Sequence, residues 1–317
     1  GPRLSIRVQG ENPLHHLWNN NGTWRIHYTV HPDACTKARV RRSLRTHELA
    51  VALQRRDEIL GEKCYRDFAA LPEAPDHLLV VIPGSPMTPE QTRELSLAFG
   101  EPRPQLLRRK RANDVPEVSL MVSTLMDDGT TDKTVYRAED WHTDDSYFEV
   151  PAKATLLHSI AIPSRGGSTW FCNMHSVYDA LPEATKRRID GKRAVHGYDT
   201  PRARNRPAPR TAQEIAETPD VEHPLVRTHP ITGRKGLYLN PNRLDRIVGL
   251  PREESDALLD ELTEEARKPK HHHGHVWALG DVVVWDNRAT MHRVVNDYPH
   301  GEPRIMHRVL LKGERPA

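Results

Sequence analysis

Short strand-like segments recur from residue 77 to the C-terminus, and they restrict the fold of this chain more than any other feature. Each segment is a short run of apolar or β-branched residues, and turn-forming residues separate it from the next. The segments are His77–Ile82, Val118–Val122, Thr155–Leu157, Thr169–Phe171, Ala194–His196, Leu225–Arg227, Gly236–Leu239, Asp281–Trp285 and Ile305–Lys312. Helices are predicted at 88–100 and 252–267, and also at 175–190, where Leu181-Pro182 interrupts the pattern. We therefore expect a mainly β fold, a sandwich or barrel, with flanking helices.

The first 60 residues follow a different pattern. Residues 24–30 alternate as a strand does, residues 38–46 can pair with them as a hairpin, and residues 47–60 have the spacing of an amphipathic helix. We predict a small α+β appendage over residues 1–60, followed by one domain over residues 61–317. The hairpin and helix resemble the small arm-binding module of phage-type integrases, which implies an alternative role in associating with DNA. The other interpretation is a packing or oligomerisation appendage with solvated arginines.

Composition narrows the class of protein. The net charge of +3 is too small to predict nucleic acid as a general partner. Cys35, Cys64 and Cys172 are scattered and form no CxxC pair, which is typical of a reducing compartment. No apolar run approaches the roughly 18 residues that a membrane-spanning helix needs. We expect a cytoplasmic protein that has no membrane partner and acts on a small molecule.

The triplet His142-Thr143-Asp144 and the distant His292 are the main candidates for chemistry. We predict that the triplet lies on a strand. Alternate residues of a strand point to the same side, so His142 and Asp144 can reach one metal ion together, with Thr143 facing away. His292 follows a strand that ends in a polar turn, and it is the natural third ligand. Two imidazoles and one carboxylate on one face of an ion are the ligand set of non-haem Fe(II) oxygenases.

Arg304 and Thr169 supply a second, anion-binding feature. Arg304 follows His292 closely, at the start of the last strand, and a buried guanidinium needs an anionic partner. A dicarboxylate cosubstrate would provide one, and the Thr169 hydroxyl could donate to the same carboxylate. The alternative for Thr169 is an ordinary β-branched strand residue.

Four motifs in this order, WHTD, GGSTW, WDNRATMHR and RIMHR, resemble the Fe(II)/2-oxoglutarate-dependent taurine dioxygenase family, which includes the chlorophenoxyacetate dioxygenases. The resemblance runs from about His77 to the C-terminus. It implies a double-stranded β-helix, or jelly roll. It also implies that His142, Asp144 and His292 bind iron and that Thr169 and Arg304 bind 2-oxoglutarate.

The resemblance further implies a reaction. With O2, such an enzyme hydroxylates an unactivated C–H bond and releases succinate and CO2. The alternative on the same iron centre is a non-hydroxylating oxidation, such as desaturation or C–N chemistry. Arg308 corresponds to an arginine that binds the substrate sulfonate in the taurine enzyme, so a small anionic substrate is expected, with Tyr147 beside it. Ala138 replaces an asparagine of that enzyme. Family members are commonly dimers or tetramers, so we expect a homo-oligomer.

Several other histidines suggest a second metal site but are better explained as structural residues. His271, His272, His273 and His275 form an internal cluster, in which we predict a structural role for His275. His158 and His196 fall on predicted strands, and we predict that both are buried in the core.

Overall fold

A computed structural model describes residues 3–5, 17–31, 38–53, 55–56, 78–112, 114–124, 139–203 and 208–317. The chain divides into two compact units, Gly1–His77 with Ile82–Ser85 and Leu78–Val81 with Pro86–Ala317. The predicted boundary at residues 60 and 61 falls within 57–77, outside the described residues, and stays a prediction. None of the helices in the described ranges combines the length and hydropathy needed to span a bilayer.

The first unit contains a four-stranded antiparallel sheet. Its strands are β1 (Arg3–Ser5), β2 (Leu17–Asn20), β3 (Thr23–His31) and β4 (Ala38–Ser43). β3 is central, with β4 along one edge and β2 and β1 along the other. Asn21-Gly22 connects β2 to β3 with φ values of 51° and 83°, as a two-residue type I′ hairpin requires.

The predicted pairing of residues 24–30 with residues 38–46 is confirmed by the register of β3 and β4. Helical residues follow at 49–53 and 55–56. The remainder of the helix predicted to reach residue 60 lies outside the described residues. DNA association through this unit stays a prediction.

The second unit contains the remaining strands. They are β5 (Leu79–Ile82), β6 (Pro102–Arg103), β7 (Arg111–Ala112), β8 (Val115–Thr124), β9 (Ala154–Ala161), β10 (Thr169–Asn173), β11 (Arg193–His196), β12 (Val221–Pro224), β13 (Val226–Thr228), β14 (Lys235–Leu237), β15 (Leu244–Ile247), β16 (His272–His275), β17 (Val282–Asp286), β18 (Thr290–Val294) and β19 (Pro303–Leu311). These bounds confirm the predicted strands in the described ranges to within a few residues.

Two sheets of this unit pack face to face and hold the candidate site. The larger sheet has the order β5-β17-β9-β19-β8-β7, and β6 pairs with the end of β19; the smaller has the order β16-β10-β18. Trp285 and Met306 of the larger sheet pack against Phe171 of the smaller one in a shared apolar cluster. A three-stranded sheet (β12-β11-β15) and the pair β13-β14 lie elsewhere in this unit.

In the described part of this unit, five α-helices accompany these sheets. They are α1 (Pro89–Ser96), α2 (Met174–Asp179), α3 (Glu183–Ile189), α4 (Ala212–Ala216) and α5 (Arg252–Ala266). The helical segment predicted at 175–190 forms two helices, and the predicted interruption at Leu181-Pro182 lies between them. Pro182 disfavours helical geometry in the residue before it and forms the N-cap of α3. α5 packs on a second apolar cluster that includes Leu258, Leu259 and Leu262.

Candidate active site

His142, Asp144 and His292 lie together between the two facing sheets. Each offers one donor atom, and these atoms lie within 4.8 Å of one another. Within the described ranges, this is the one group of three or more ligand-type side chains that meets this spacing. The structure therefore brings together the three residues that the sequence singled out.

The local structure of the triplet differs from the prediction. His142 is not part of a regular strand; it forms an isolated bridge with His292, with reciprocal backbone hydrogen bonds of 3.0 and 2.8 Å. Asp144 begins a turn, and Asp145 has a φ of 59°. The prediction that the triplet lies on a strand is therefore wrong, because pairing with β18 ends after one residue. Thr143 does point away, as expected, and its hydroxyl donates to the carbonyls of Leu239 and Thr290.

Two neighbours fix the backbone and carboxylate of Asp144 despite this turn. The Asn287 side chain accepts from the Asp144 backbone N–H at 3.1 Å and donates to its carbonyl at 2.8 Å. The Thr155 hydroxyl, from β9, donates to Asp144 Oδ2 at 2.9 Å. These contacts hold the carboxylate toward the two imidazoles.

The two imidazoles are oriented in different ways. His142 Nδ1 lies 3.0 Å from the Asp140 carbonyl, which makes Nδ1 the protonated nitrogen and leaves Nε2 free to bind a metal. His292 Nε2 lies 3.8 Å from Asp144 Oδ2, and its ring packs against Trp285 at a centroid distance of 4.6 Å. Burial lowers the pKa of both histidines, that of His292 to about 3 with a further contribution from His142. Both rings are therefore neutral near pH 7, as metal ligands must be.

Asp144 is ionised in spite of its burial. Desolvation alone would raise the pKa of this carboxyl, but the charge of Arg308, followed by His292, lowers it to about 2. Arg308 Nη1 lies 3.1 Å from Asp144 Oδ1, and its Nη2 donates to Gln105 Oε1 at 3.2 Å. The structure therefore places Arg308, predicted as a substrate residue, directly against the carboxylate of the cluster.

Arg304 and Thr169 form the second feature, as the sequence predicted. Arg304 Nη2 donates to the Thr169 hydroxyl at 3.1 Å, and its Nε donates to the Gly167 carbonyl at 2.9 Å. Trp277 Nε1 also donates to the Thr169 hydroxyl, at 3.0 Å. Thr169 thus accepts two hydrogen bonds, and its own proton stays available for another acceptor.

No carboxylate in the described part of the chain pairs with Arg304, although this side chain is only 4% exposed. Burial lowers the pKa of Arg304 to about 10, which still leaves the guanidinium charged near neutral pH. A buried charge of this kind is costly unless an anion accompanies it. Arg304 and Thr169 together are therefore suited to bind a carboxylate.

The distance between these two features follows from strand geometry. On β10, Phe171 is the direct partner of His292 on β18, and Thr169 is two residues away on the same face. Two residues of antiparallel strand span about 7 Å. A metal held by His292 and an anion held by Thr169 are therefore spaced for the two ends of one short dicarboxylate.

A cavity of about 160 Å³ lies beside Asp144. His142, Asp144 and Arg308 form one wall, and Tyr147, Asn242 and Arg243 are among the other lining residues. Tyr147 donates from its hydroxyl to Asp145 Oδ1 at 3.0 Å, and burial raises its pKa well above the usual value. Residues 125–138, including Ala138, and residues 204–207 lie outside the described residues.

His271 and His275 of the internal histidine cluster contact other protein side chains. His275 Nε2 lies 3.1 Å from Asp281 Oδ2, and His271 contacts Ser176 at 2.6 Å and Glu265 at 3.2 Å. These contacts agree with a structural role for the internal histidine cluster. His158 and His196 are completely buried on β9 and β11, which confirms them as core residues.

Sequence reasoning missed the polar residues that support the cluster. Asn287, Thr155 and Gln105 are buried and contact Asp144 or Arg308. Asn287 lies 143 residues from Asp144 and Gln105 lies 203 residues from Arg308, whereas Thr155 lies 11 residues from Asp144. The one local signal was the polar turn that follows β17, where Asn287 directly precedes Arg288.

Comparison with known proteins places this site in a family. Residues 59–310 match the model of the taurine catabolism dioxygenase TauD, TfdA family. The alpha-ketoglutarate-dependent 2,4-dichlorophenoxyacetate dioxygenase of Burkholderia sp. (strain RASC) is 32% identical over 224 residues, covering 68% of this chain and 75% of that protein. The alpha-ketoglutarate-dependent sulfate ester dioxygenase of Pseudomonas putida is 36% identical over 188 residues, covering 57% and 62%.

A crystal structure of a taurine dioxygenase from Burkholderia xenovorans superimposes with a TM-score of 0.65 at 31% identity, covering 81% of this chain and 82% of that one. The chain therefore belongs to the taurine catabolism dioxygenase TauD, TfdA family. It is an oxidoreductase, a dioxygenase that depends on 2-oxoglutarate (α-ketoglutarate) and O2. The jelly-roll fold and the family resemblance predicted from the sequence are both confirmed.

Proposed function

We propose that His142, Asp144 and His292 hold one Fe(II), and that Arg304 and Thr169 bind the distal carboxylate of 2-oxoglutarate. The substrate is a small organic anion that occupies the cavity beside Asp144. One observation carries this proposal. The cluster of two histidines and a carboxylate lies about 7 Å from Thr169, measured along the β10 and β18 pair. Thr169 in turn contacts Arg304, a buried arginine that has no acidic partner among the described residues.

The residues fit this metal. Two neutral imidazoles and one ionised carboxylate on one side leave the remaining coordination positions open, as in ferrous oxygenases. When bound, Fe(II) couples the decarboxylation of 2-oxoglutarate to the reduction of O2 and so supplies the oxidant for a C–H bond. The overall change balances: 2-oxoglutarate, O2 and R–H give succinate, CO2 and R–OH.

The protein keeps its ligands ready for the metal. Asn287 and Thr155 hold Asp144, and the Asp140 carbonyl fixes the tautomer of His142. Such supporting contacts commonly change metal affinity by about 10- to 100-fold when they are removed. Because all three ligands are already deprotonated near pH 7, metal binding does not have to displace protons from them.

The cosubstrate is oriented by its distal carboxylate. Arg304 supplies the positive charge, and Thr169 supplies a hydroxyl whose proton is directed by two donors on its oxygen. Trp277, which donates one of those bonds, is buried and keeps water from the pair. The keto acid end of 2-oxoglutarate is thereby left to face the metal cluster.

The substrate class is supported by the cavity and by the relatives. One relative acts on 2,4-dichlorophenoxyacetate and another on sulfate esters, and both compounds are organic anions. The cavity here contains cationic side chains and is of modest size. We therefore propose an aryloxyalkanoate, a sulfonate or a sulfate ester of similar size as the substrate.

A succinate-release screen tests the proposal. The protein is incubated with Fe(II), ascorbate, 2-oxoglutarate and members of a panel of aryloxyalkanoates, small sulfonates and alkyl sulfates. At least one compound should stimulate succinate release and gain one oxygen atom by mass spectrometry. A product that is two hydrogens lighter would indicate desaturation, and no succinate with or without any compound would contradict the proposal. The homo-oligomer and the cytoplasmic location stay predictions.

A further inference from the structure

Arg243 is a second arginine in the wall of the cavity beside Asp144, which Lys110 also lines, and its surroundings differ from those of Arg308. It lies between β14 and β15, where Arg243 N–H donates to the Asn240 carbonyl and its carbonyl accepts from Gly197, both at 2.8 Å. Two backbone hydrogen bonds therefore fix the residue at its base. The side chain is half-buried and lines the cavity.

Aromatic rings orient the Arg243 side chain. Its guanidinium lies 4.7 Å from the Tyr198 ring centroid and 5.4 Å from that of Tyr147, and these two rings meet edge to face at 5.0 Å. Its Nη1 donates to the Tyr198 carbonyl. Cation–π contacts of this kind position a guanidinium without neutralising its charge.

No carboxylate among the described residues forms an ion pair with Arg243. The nearby Asp145 accepts from the Tyr147 hydroxyl at 3.0 Å and lies 3.5 Å from Arg103 Nη1. Arg308, in contrast, has Asp144 and Gln105 as partners. Of these two arginines, Arg243 therefore has the charge available for an anion in the cavity.

Asn242 supplies a neutral donor beside Arg243. Its side chain is more than nine-tenths buried, lines the same cavity, and makes no hydrogen bond to another described residue. The buried atom without a partner is Oδ1, an acceptor, which an anion does not satisfy. The Nδ2–H group also makes no hydrogen bond to another described residue, and it can donate to an anion in the cavity. Arg243 and Asn242 thus offer a charged and a neutral donor to one group.

We infer that Arg243 and Asn242 bind the anionic group of the substrate, while Arg308 positions the Asp144 carboxylate. This inference rests on the proposed function, whose substrate it specifies further. The rest of the cavity is partly apolar, with Leu107, Met121 and Leu310 in its wall. Its volume of about 160 Å³ is close to that of a cavity that accepts benzene, roughly 150 Å³. The substrate class is a carboxylate, sulfonate or sulfate on a body about the size of one six-membered ring.

Binding measurements on the loaded enzyme test this inference. The probes are phenoxyacetate and benzenesulfonate, each compared with its neutral amide, phenoxyacetamide and benzenesulfonamide. Calorimetric titration is made without oxygen, at saturating Fe(II) and 2-oxoglutarate, so that binding is measured apart from turnover. The wild-type protein should bind at least one anion about tenfold more tightly than its neutral amide.

Four variants then separate the two arginines. Arg243→Gln should weaken binding of that anion by roughly 10- to 100-fold and leave binding of the amide unchanged. Arg243→Lys should retain part of the preference, because it keeps the charge but loses the fork. Arg308→Gln should leave the preference within about threefold of wild type. Arg246→Gln, an exposed arginine on β15 outside the cavity lining, is the matched control and should have no effect.

The inference is overturned if Arg243→Gln keeps the wild-type preference, if Arg308→Gln removes it, or if the wild-type protein prefers neither anion. Succinate formed from 2-oxoglutarate without substrate is measured on the same samples, together with thermal unfolding. Succinate formation by a folded Arg243→Gln variant that keeps the preference would leave the proposed function intact and reject the inference alone. Absence of both Fe(II) binding and succinate in the wild type would reject the proposed function itself.

Discussion

Arg304 and Arg308 lie four residues apart on β19, and their side chains face the same interior between the sheets. Arg308 is paired with Asp144, a proposed iron ligand, and with Gln105. Arg304, about 14 Å away along the strand, donates hydrogen bonds only to a carbonyl and the Thr169 hydroxyl among the described residues. The same residue type on one strand face thus has two different electrostatic settings.

This difference separates the roles of the two arginines. The charge of Arg308 already compensates a buried carboxylate, so its removal should disturb the metal cluster first. The charge of Arg304 has no compensating acid within the described residues, so it needs an anion from outside the protein. Substitution of Arg308 should therefore weaken metal binding, whereas substitution of Arg304 should weaken binding of 2-oxoglutarate.

The largest effect is expected from a metal ligand. His142→Ala removes one of three proposed ligands and should reduce substrate-dependent succinate release below detection, while the chain stays folded. Succinate is measured by chromatography, and folding by circular dichroism. Turnover at the wild-type rate in this variant would remove His142 from the site.

Arg304→Gln should affect the opposite end of the site. Loss of a buried, charge-assisted contact should raise the KM for 2-oxoglutarate by about 100-fold. The Fe(II) concentration needed for half-maximal activity should change less than about threefold. An equal change in the KM for 2-oxoglutarate and in the Fe(II) requirement would contradict the separate roles proposed for Arg304 and Arg308.

Arg308→Gln should give the converse pattern. It leaves the Asp144 carboxylate without its cationic partner, and the apparent affinity for Fe(II) should fall by roughly 10-fold or more, as for other supporting contacts of metal ligands. The KM for 2-oxoglutarate should rise less than about threefold. A larger effect on 2-oxoglutarate than on iron would place Arg308 at the other end of the site.

Thr169→Val should produce a smaller change at the Arg304 end. It keeps the shape of the side chain but removes one neutral hydrogen bond, typically about 1 kcal/mol, so the KM for 2-oxoglutarate should rise about fivefold. Thr169→Ser, which retains the hydroxyl, is the matched control. A KM for Thr169→Val equal to that of wild type would show that the hydroxyl does not contact the cosubstrate.

The smallest effect is expected from a change of pH on the metal affinity of the His142, Asp144 and His292 cluster. Protons compete with a metal for histidine, so affinity falls as pH falls toward the pKa of each ligand. Burial lowers the pKa of His292 to about 3 and also lowers that of His142, so Co(II) affinity should change less than about twofold between pH 8 and pH 6. Two histidines with ordinary pKa values near 6.5 would lose roughly tenfold or more over this range, and such a loss would contradict the buried, neutral pair.

The sequence predicts those parts of the fold whose pattern is local. The short strands and α5 follow from periodicity, and α1 follows from its Thr88 cap. The order and spacing of four motifs are enough to single out Thr169 and Arg304. The triplet at 142–144 was wrongly assigned to a strand, because its single bridge depends on pairing with His292, far along the chain. A local pattern does not contain that pairing.

The supporting polar residues were not predictable for the same reason. Asn287 and Thr155 are ordinary residues in their own segments, and they acquire a role only when the two sheets bring them to Asp144. Arg243 lies in a turn with no motif, and its place in the cavity depends on Tyr147 and Tyr198. Such residues are identified by contacts that form only in the folded chain.

The central claim, that His142, Asp144 and His292 form one iron site distinct from the histidine cluster at 271–275, is tested most directly by metal titration. Metal-free protein is titrated with Fe(II) without oxygen in the wild type, in Asp144→Ala and in His275→Ala. We predict one tight equivalent per chain for the wild type and for His275→Ala, and none for Asp144→Ala. One tight equivalent in Asp144→Ala, or its loss in His275→Ala, would contradict the account.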